Sequence, residues 1–360
     1  MRLARYYRTA RTVHIERLAS FYPADLLYQS TMYDFDLSQL PDGATATQVT
    51  FFRVVCLVWR HEVDCLELAE PYAPSAIPQN MVLSLVRRIS PHRQSQRVRF
   101  TAYAIENADL PRKYAAQLKL PVWVMRMIFR TAVGFIYRSF DRIAFGTSDA
   151  RDNYMSLLRA GARATPPATT VIEGLPVRRP IVCDHPESPR LVFLGAFDGR
   201  KGVLKVIEAW KILTKKTPEA RLVVMGKGPL AQIVESELSS MPSAELIVDP
   251  SRSKIWEVLD SSTALCLLSQ PAPGWKEQIG LPIVEGLSSG LEIIATSETG
   301  VAQWLRNHSH RVVDPQIEPR DLAEAMSSAL TTARSRENIM KDLPLIDGRL
   351  AADRWLHGEV

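Results

Sequence analysis

The amino-acid sequence predicts an α/β fold of doubly wound parallel sheets, on three observations. In the second half, short apolar β-rich runs alternate with helical patterns of about 10–15 residues. Most glycines of that half fall where those runs end, and in such sheets ligands sit beyond the carboxyl ends of the strands. The length, 360 residues at about 150 per domain, makes room for two such domains.

Taken from the N-terminus, the chain opens with MRLARYYRTARTVHIERLASFYP, whose arginines at 2, 5, 8, 11 and 17 approach helical spacing. The segment reads as an arginine-rich helix, and Arg126 and Arg130 with the aromatics around them approach the same spacing. Both stretches read as either a face seeking anionic lipid or a solvated basic face over a domain core. Strand candidates follow at ADLLYQS (24–30), TQVTFFRVV (47–55), DCLELAEP (64–71), VRFTAYAI (98–105) and DRIAFGTS (141–148), with helical or loop material between them. They suit an N-terminal α/β domain over residues 1–175. Pro176, Pro180, Pro186 and Pro189 then mark 176–189 as an extended linker, because proline removes amide donors and restricts its neighbours.

The second domain, 190–333, reads more regularly. Arg190–Phe197 is a strand running into Asp198-Gly199-Arg200-Lys201-Gly202, and Val203, Val206, Ile207, Trp210 and Leu213 then recur at helical spacing. ARLVVMG (220–226), AELIV (244–248), STALCLLS (262–269), EIIAT (292–296) and RVV (311–313) are expected as strands. LPIVEGLSSG (281–290), GVAQWLRN (300–307) and PRDLAEAMSSAL (319–330) are expected as helices. Residues 334–360 form a basic, then helical, C-terminal segment, for which the N-terminal domain is one place to pack.

Composition narrows the function. Hydrophobic residues make up 46% and charged residues 23%, which excludes a disordered, collagen-like or small disulfide-stapled protein. The formal charge of +5 is uneven: residues 1–180 hold 24 basic and 15 acidic side chains, residues 181–360 hold 20 and 24. The two halves therefore suit different partners. Cys56, Cys65, Cys183 and Cys266 lack metal or redox spacing and are expected as reduced thiols in a cytoplasmic protein. The N-terminus lacks the apolar core of a signal peptide. The longest apolar stretch, Pro121–Phe145, is interrupted by Arg126, Arg130, Arg138, Asp141 and Arg142. At about 3 kcal/mol per central arginine it is not expected to span a bilayer, which leaves a soluble or peripherally attached protein.

Three glycine-containing turns stand where chemistry would. Gly199-Arg200-Lys201-Gly202 opens a helix, so amides, helix dipole and a lysine converge as they do on a phosphate; a plain turn with a solvated lysine is the alternative. Gly226-Lys227-Gly228-Pro229 permits close backbone approach to a flat or charged ligand. In Glu277-Gln278-Ile279-Gly280-Leu281-Pro282-Ile283-Val284-Glu285, Gly280 allows a tight turn and Pro282 suits a first helical turn. Amides at Gly280–Ile283 then face a phosphate and two carboxylates face sugar hydroxyls, unless Glu277 and Glu285 are ordinary solvent-facing residues.

In this order and spacing, GAFDGRKG, GKGPL and EQIGLPIVE resemble glycosyltransferase family 4, across most of residues 140–330. Weaker echoes are HEVDCLELAEPY, with Glu70-Pro71, then FDRIAFGTSDA and VIEGLPV. The resemblance implies the GT-B fold, two Rossmann-like doubly wound domains facing a cleft. It implies a hexosyl or related transferase that moves a sugar from a nucleotide sugar to an acceptor, with retention and without a metal or other cofactor. On this resemblance Lys201, with Arg200 and Gly202 beside it, binds the donor diphosphate. Glu285 binds the ribose, Glu277 contacts the transferred sugar, Gly280 and Leu281 offer amides, and Gly226 belongs to the same donor site. Glu277, Lys201 and Glu106 are the residues assigned to catalysis, Glu106 with Tyr103 lying nearest the place of the family's first-domain histidine.

The chain also departs from the family pattern. Ala196 stands where the family has a diphosphate-binding arginine, Leu291-Glu292 replaces a small-residue–proline step, and no opening strand or glycine loop is read at the N-terminus. These departures motivate a second reading, a non-catalytic relative that binds nucleotide sugar or stabilises a partner. Asp34-Phe35-Asp36 has metal-dependent spacing without a preceding nucleotide-binding region and reads as a turn. No Ser/His/Asp elbow, Walker loop or nucleic-acid module accompanies the charge, so nucleic acid is not expected as a partner. The excess positive charge of the first half fits a sugar, lipid-linked or other anionic acceptor, with synthesis of cell-surface polysaccharide or glycolipid as the setting. Peripheral contact with the inner face of a membrane belongs to the same expectation.

Overall fold

Repeated strand–helix crossovers wind the chain into two all-parallel sheets, the architecture that strand–helix alternation predicts. The computed structural model describes residues 2–32, 35–91, 97–158, 166–181 and 188–358. Contacts divide the chain into two units, Met1–Glu173 with Gly348–Val360, and Gly174–Asp347. Each is a Rossmann-like α/β unit with its own core.

The first unit holds β1 (Leu3–Ala10), β2 (Asp25–Thr31), β3 (Thr45–Gln48), β4 (Cys65–Leu68), β5 (Arg99–Ala104), β6 (Arg142–Phe145) and β7 (Ala168–Val171). They lie in the order β3-β2-β1-β4-β5-β6-β7. This corrects the reading of the N-terminus. Leu3–Ala10 of the arginine-rich opening is not helix but the strand β1, paired with β2 on one side and β4 on the other, so the first strand is present; only the short turns Thr12–Glu16 and Arg17–Ala19 that follow are helical. Arg5 is buried, its guanidinium bonded to Glu67 (2.7 Å) and Asp353 (2.6 Å). A second correction falls at 47–55. Only Thr45–Gln48 is strand; Thr50 caps a helix, Phe51–Trp59, by accepting from the Arg53 amide.

The second unit holds β8 (Arg190–Leu194), β9 (Arg221–Gly226), β10 (Ala244–Val248), β11 (Ala264–Leu267), β12 (Glu292–Thr296) and β13 (Arg311–Val313), in the order β10-β9-β8-β11-β12-β13. The helix after β8 runs Val203–Leu213 and buries Val203, Val206, Ile207, Trp210 and Leu213, the face its periodicity predicts. The Leu291-Glu292 departure has a structural account. Glu292 is buried in β12 and receives Arg334 at 2.8 Å, with Arg311 and His310 within 3.5 Å. Burial alone would push its carboxyl up. The hydrogen bonds from His310 and Arg334, and the Arg334 charge, hold it at about 2.

The C-terminal segment divides at Gly348. Residues before it stay with the second unit, while the helix Gly348–His357 packs on β5 and β6 of the first. Asp353 and His357 enter the polar cluster around Glu67, and Arg349 ion-pairs with Glu67. Cys56, Cys65 and Cys266 are free thiols; Cys183 and Asp34 lie outside the described residues.

Candidate functional site

In the second unit the strand order reverses between β8 and β11, the switch point at which doubly wound sheets leave a crevice beyond their strands. The loops leaving these two strands carry the residues singled out in the sequence. After β8, the Asp198 carboxylate accepts from the amides of Arg200 (2.9 Å) and Lys201 (3.2 Å) and from the Arg200 guanidinium (2.7 Å). Gly202 then takes φ +70°, and a Cβ there would stand 2.4 Å from the Leu268 carbonyl oxygen. Glycine is what lets this turn lie against the end of β11.

After β11 the chain loops through Trp275 to Glu277, and the Lys201 ammonium forms an ion pair with the Glu277 carboxylate. Their side chains are only 16% and 14% exposed, so neither is the solvated surface group that its residue type alone suggests. Glu277 is fixed from behind: its amide donates to the Glu298 carbonyl and its carbonyl accepts from Gly300, each at 3.0 Å. Ser269 Oγ lies 3.4 Å from its carboxylate. Arg200 and Lys201 both stand over the Trp275 ring, at 4.9 and 5.2 Å from its centroid.

Gly280, at φ +86°, opens the helix Leu281–Ser288. Pro282 has no N–H, and the Ile283 amide donates to the Gly280 carbonyl (2.9 Å). The donors this helix end can offer therefore come down to the amides of Gly280 and Leu281, narrower than the run Gly280–Ile283. One turn inside, Glu285 is buried and ion-paired with Arg252. Burial raises its carboxyl above the ordinary range, against the opposing pull of the Arg252 hydrogen bond and charge. Arg252 itself rests on Trp256, whose ring also faces Arg179. The structure thus brings Lys201, Arg200, Gly202, Glu277, Gly280 and Leu281 to one loop cluster, with Glu285 on the adjoining helix.

Gly226 meets a packing need within the chain. A Cβ there would lie 1.8 Å from the Gly195 carbonyl oxygen, and one at Gly228 would lie 2.6 Å from that of Phe197. The close backbone approach in GKGP is between two turns of the protein, sealed by Phe197 N–H to Lys227 O and Leu230 N–H to Phe197 O, both 2.9 Å. Arg252 and Trp275 were not singled out in the sequence. An arginine in a first helical turn and a tryptophan in a proline-flanked loop carry no local signal, and only the fold puts them beside Glu285 and Lys201.

Glu106 belongs to the first unit, in the loop after β5. One of its carboxylate oxygens accepts from the Ala108 amide (2.9 Å), and its own amide donates to Glu70 (3.0 Å). Glu70, at the end of β4, also receives the Ile105 amide (2.6 Å) and the Tyr154 hydroxyl (2.9 Å). Burial pushes the Glu70 carboxyl up to about 7 against the pull of those donors. It borders a cavity of about 470 Å³ lined also by Tyr6, Arg8, Thr9, Ser30 and Gln79, at the carboxyl ends of β1 and β4. Among the described residues, the potential metal-ligating side chains that gather in a group of three are Glu67, Asp353 and His357. Arg5 and Arg349 already supply the countercharge there, an arrangement that fits a folded-in ion-pair cluster and not a cation site.

Residues 184–342, within the second unit, match the family described as glycosyl transferases group 1. Over 153 residues the chain is 26% identical to sulfoquinovosyl transferase SQD2 of Arabidopsis thaliana; that match covers 42% of this chain and 28% of the relative's length. Among solved structures, WaaG, a glycosyltransferase involved in lipopolysaccharide biosynthesis, aligns at a TM-score of 0.64 and 15% identity, covering 99% of this chain and all of that one. The lipopolysaccharide outer core galactosyltransferase WaaB aligns at 0.68 and 12%, covering 99% and 98%. Anabaena HepE, solved with UDP-glucose, aligns at 0.60 and 11%, covering 99% and 95%. At these identities the likeness is one of fold, and both units have the Rossmann-like form of GT-B glycosyltransferases.

Proposed function

We propose that this protein transfers a hexosyl or related sugar from a nucleotide-sugar donor to an acceptor, with retention of configuration and without a metal. The observation that carries this reading is the cluster at the β8–β11 switch point. There a mostly buried lysine, two mostly buried carboxylates and a glycine-opened helix end converge inside the stretch that matches glycosyl transferases group 1. Lys201 holds the donor diphosphate, and Arg200 stands beside it where Ala196 supplies no cation. The Gly280 and Leu281 amides add hydrogen bonds to phosphate or sugar, Glu277 contacts the transferred sugar, and Glu285 takes the ribose hydroxyls. As the sugar leaves, negative charge builds on the diphosphate oxygens, and a fixed cation there lowers the barrier more than it stabilises the bound donor. The first unit takes the acceptor, with Glu106 and the neutral-range acid Glu70 at the ends of its strands.

Because Lys201 and Glu285 are ion-paired within the protein, donor binding exchanges partners. Lys201 turns from Glu277 toward phosphate, and Arg252 gives up Glu285 to the ribose. A cytoplasmic protein meeting a lipid-linked or other anionic acceptor at a membrane surface fits the basic first half. The second reading, a nucleotide-sugar-binding subunit without turnover, is motivated by Ala196. Calorimetric donor binding and nucleoside-diphosphate release, measured with wild type and Glu285→Ala across a panel of nucleotide sugars, separate the two. Binding that weakens in the variant, with release in the wild type, supports transfer. Binding without release for any acceptor supports the second reading, and no binding of any nucleotide sugar refutes both.

A further inference from the structure

One face of the first sheet is covered by the helices Phe51–Trp59, Ile77–Ile89 and Val122–Tyr137, each packed on the next, with Leu110–Leu118 against the last. Right-handed crossovers put them all on that side. Their inner stripes are ordinary core: Val54, Leu57, Leu83, Phe129 and Val133 are buried. Their outer side is not an ordinary surface. Phe52 is 75% exposed, Trp123 68% and Met127 57%, with Leu85, Ile89 and Ile128 also standing in solvent. Half of the exposed large apolar side chains among the described residues stand on this layer, which is under a sixth of the chain.

The charge of the same layer is equally one-sided. Residues 51–60, 77–89 and 110–138 contain ten Lys and Arg and no Asp or Glu. The carboxylates that reach these cations, Glu62, Asp109 and Asp141, come from outside the helices. Beside Trp123 and Met127 opens a cavity of about 590 Å³ lined by Arg126 and Arg130, and by Asp109, which pairs with Arg126 at 3.4 Å; it is wide enough for a phosphate headgroup. No helix among the described residues is long and apolar enough to cross a membrane, so an apolar, cationic face of this kind lies on a bilayer and does not span it.

We propose that this helix layer docks the protein on an anionic lipid bilayer, with Trp123, Met127 and Phe52 entering the interface and the arginines and lysines meeting lipid phosphates. A second copy of the chain is a poor occupant, because two such faces laid together set ten cations against ten, with Glu62, Asp109 and Asp141 too few to offset them. Of the two arginine stretches the sequence offers as a lipid-facing surface, this face holds Arg126 and Arg130 with their aromatic neighbours and not the N-terminal run. Arg2, Arg5, Arg8 and Arg11 lie in or beside the strand β1 and Arg17 in the turn after it, whereas the cationic face is built from helices that begin at Phe51. The inference stands on vesicle binding and does not require the nucleotide-sugar reading.

Flotation of the full chain with phosphatidylcholine vesicles, with and without roughly a third phosphatidylglycerol, tests it. The expected result is binding to the anionic vesicles only, weakened by salt. Lys119→Gln and Arg126→Gln are expected to weaken it about fivefold each, and Trp123→Glu/Met127→Glu at least about tenfold. Thermal unfolding of each variant is recorded beside it, and the two polar substitutions keep the test valid if the double variant does not fold. Failure of the wild type to float with anionic vesicles, or flotation that none of these substitutions weakens, overturns the proposal. So does light scattering that shows a dimer dispersed by Trp123→Glu/Met127→Glu.

Discussion

The ion pair between Lys201 and Glu277 allows the scaffold and the chemistry of the site to be separated. Lys201→Met keeps the apolar stem of a side chain that is 16% exposed and removes its charge, leaving the Glu277 carboxylate at 14% exposure without that partner. At an effective dielectric near 20, two charges in contact gain about 4 kcal/mol, most of it offset by desolvation. Loss of one partner alone should therefore cost about 1–3 kcal/mol of stability, the range for a mostly buried group deprived of its charged hydrogen bond. Glu277→Gln should cost a similar amount. In Lys201→Met/Glu277→Gln both charges are gone, and stability should return to within about 1 kcal/mol of wild type, measured as a urea midpoint at constant slope. Turnover should not return. A cation at the developing diphosphate charge contributes about 10²–10³ in rate, and the double variant still lacks it. Nucleoside-diphosphate release under saturating donor reads this directly. Recovery of turnover together with stability would refute the assignment of Lys201 to the donor and leave the pair as scaffold only. A single Lys201→Met variant with nearly unchanged kcat would refute it equally.

Three further outcomes are expected. Glu285→Ala should weaken donor binding about 10–100-fold in calorimetry, the loss of a charge-assisted hydrogen bond, while the nucleotide-free fold remains intact by circular dichroism. Glu292, held at about 2 in the folded chain, is a depressed carboxyl. Its contribution is therefore fully present above its unfolded value near 4.5 and is lost as pH falls toward 2, on the order of 3 kcal/mol in all. Glu292→Gln should unfold at markedly lower urea at pH 7 and show a flatter acid limb; an unchanged midpoint would contradict the role given to Arg334. Glu70 has the opposite sign. Its folded value of about 7 lies above the unfolded one, so the native state binds the extra proton and stability falls as pH rises from about 5 to 8, by on the order of 2 kcal/mol. A titration of Glu70 by carboxyl-carbon NMR with a midpoint near 4 would remove that expectation.

The second unit was largely legible because its information is local. Buried strands such as Ala264–Leu267 are continuous apolar runs, the Val203–Leu213 helix shows its period, and glycines mark the turns. The first unit hid β1 for a physical reason. Arg5 sits in the middle of a central strand, where an arginine breaks any apolar pattern. What makes it tolerable is Asp353, contributed by the last helix of the chain, together with Glu67 on the neighbouring strand. No window of sequence contains both partners. At 47–55 the β-branched and aromatic residues suit a strand, and Thr50 overrides them by capping a helix whose Phe52 stands in solvent. The site shows the same division. Lys201, Glu277 and Glu285 were singled out by motif and Glu70 by a weaker echo, whereas Arg252 and Trp275 owe their place to loops that meet only in the folded chain. The GKGP glycines were recognised as close-approach positions, and the Gly195–Phe197 backbone is what approaches them within the chain.

The central claim is that the β8–β11 switch point holds a nucleotide sugar, and a crystal structure of the full chain soaked with the donor that binds best tests it most directly. The account predicts the diphosphate within hydrogen-bond distance of Lys201 Nζ and the Gly280 or Leu281 amide. It also predicts the ribose hydroxyls on Glu285, with Arg252 displaced from that carboxylate. A nucleotide seated elsewhere, or a Lys201–Glu277 pair left unbroken with the donor bound, would contradict it.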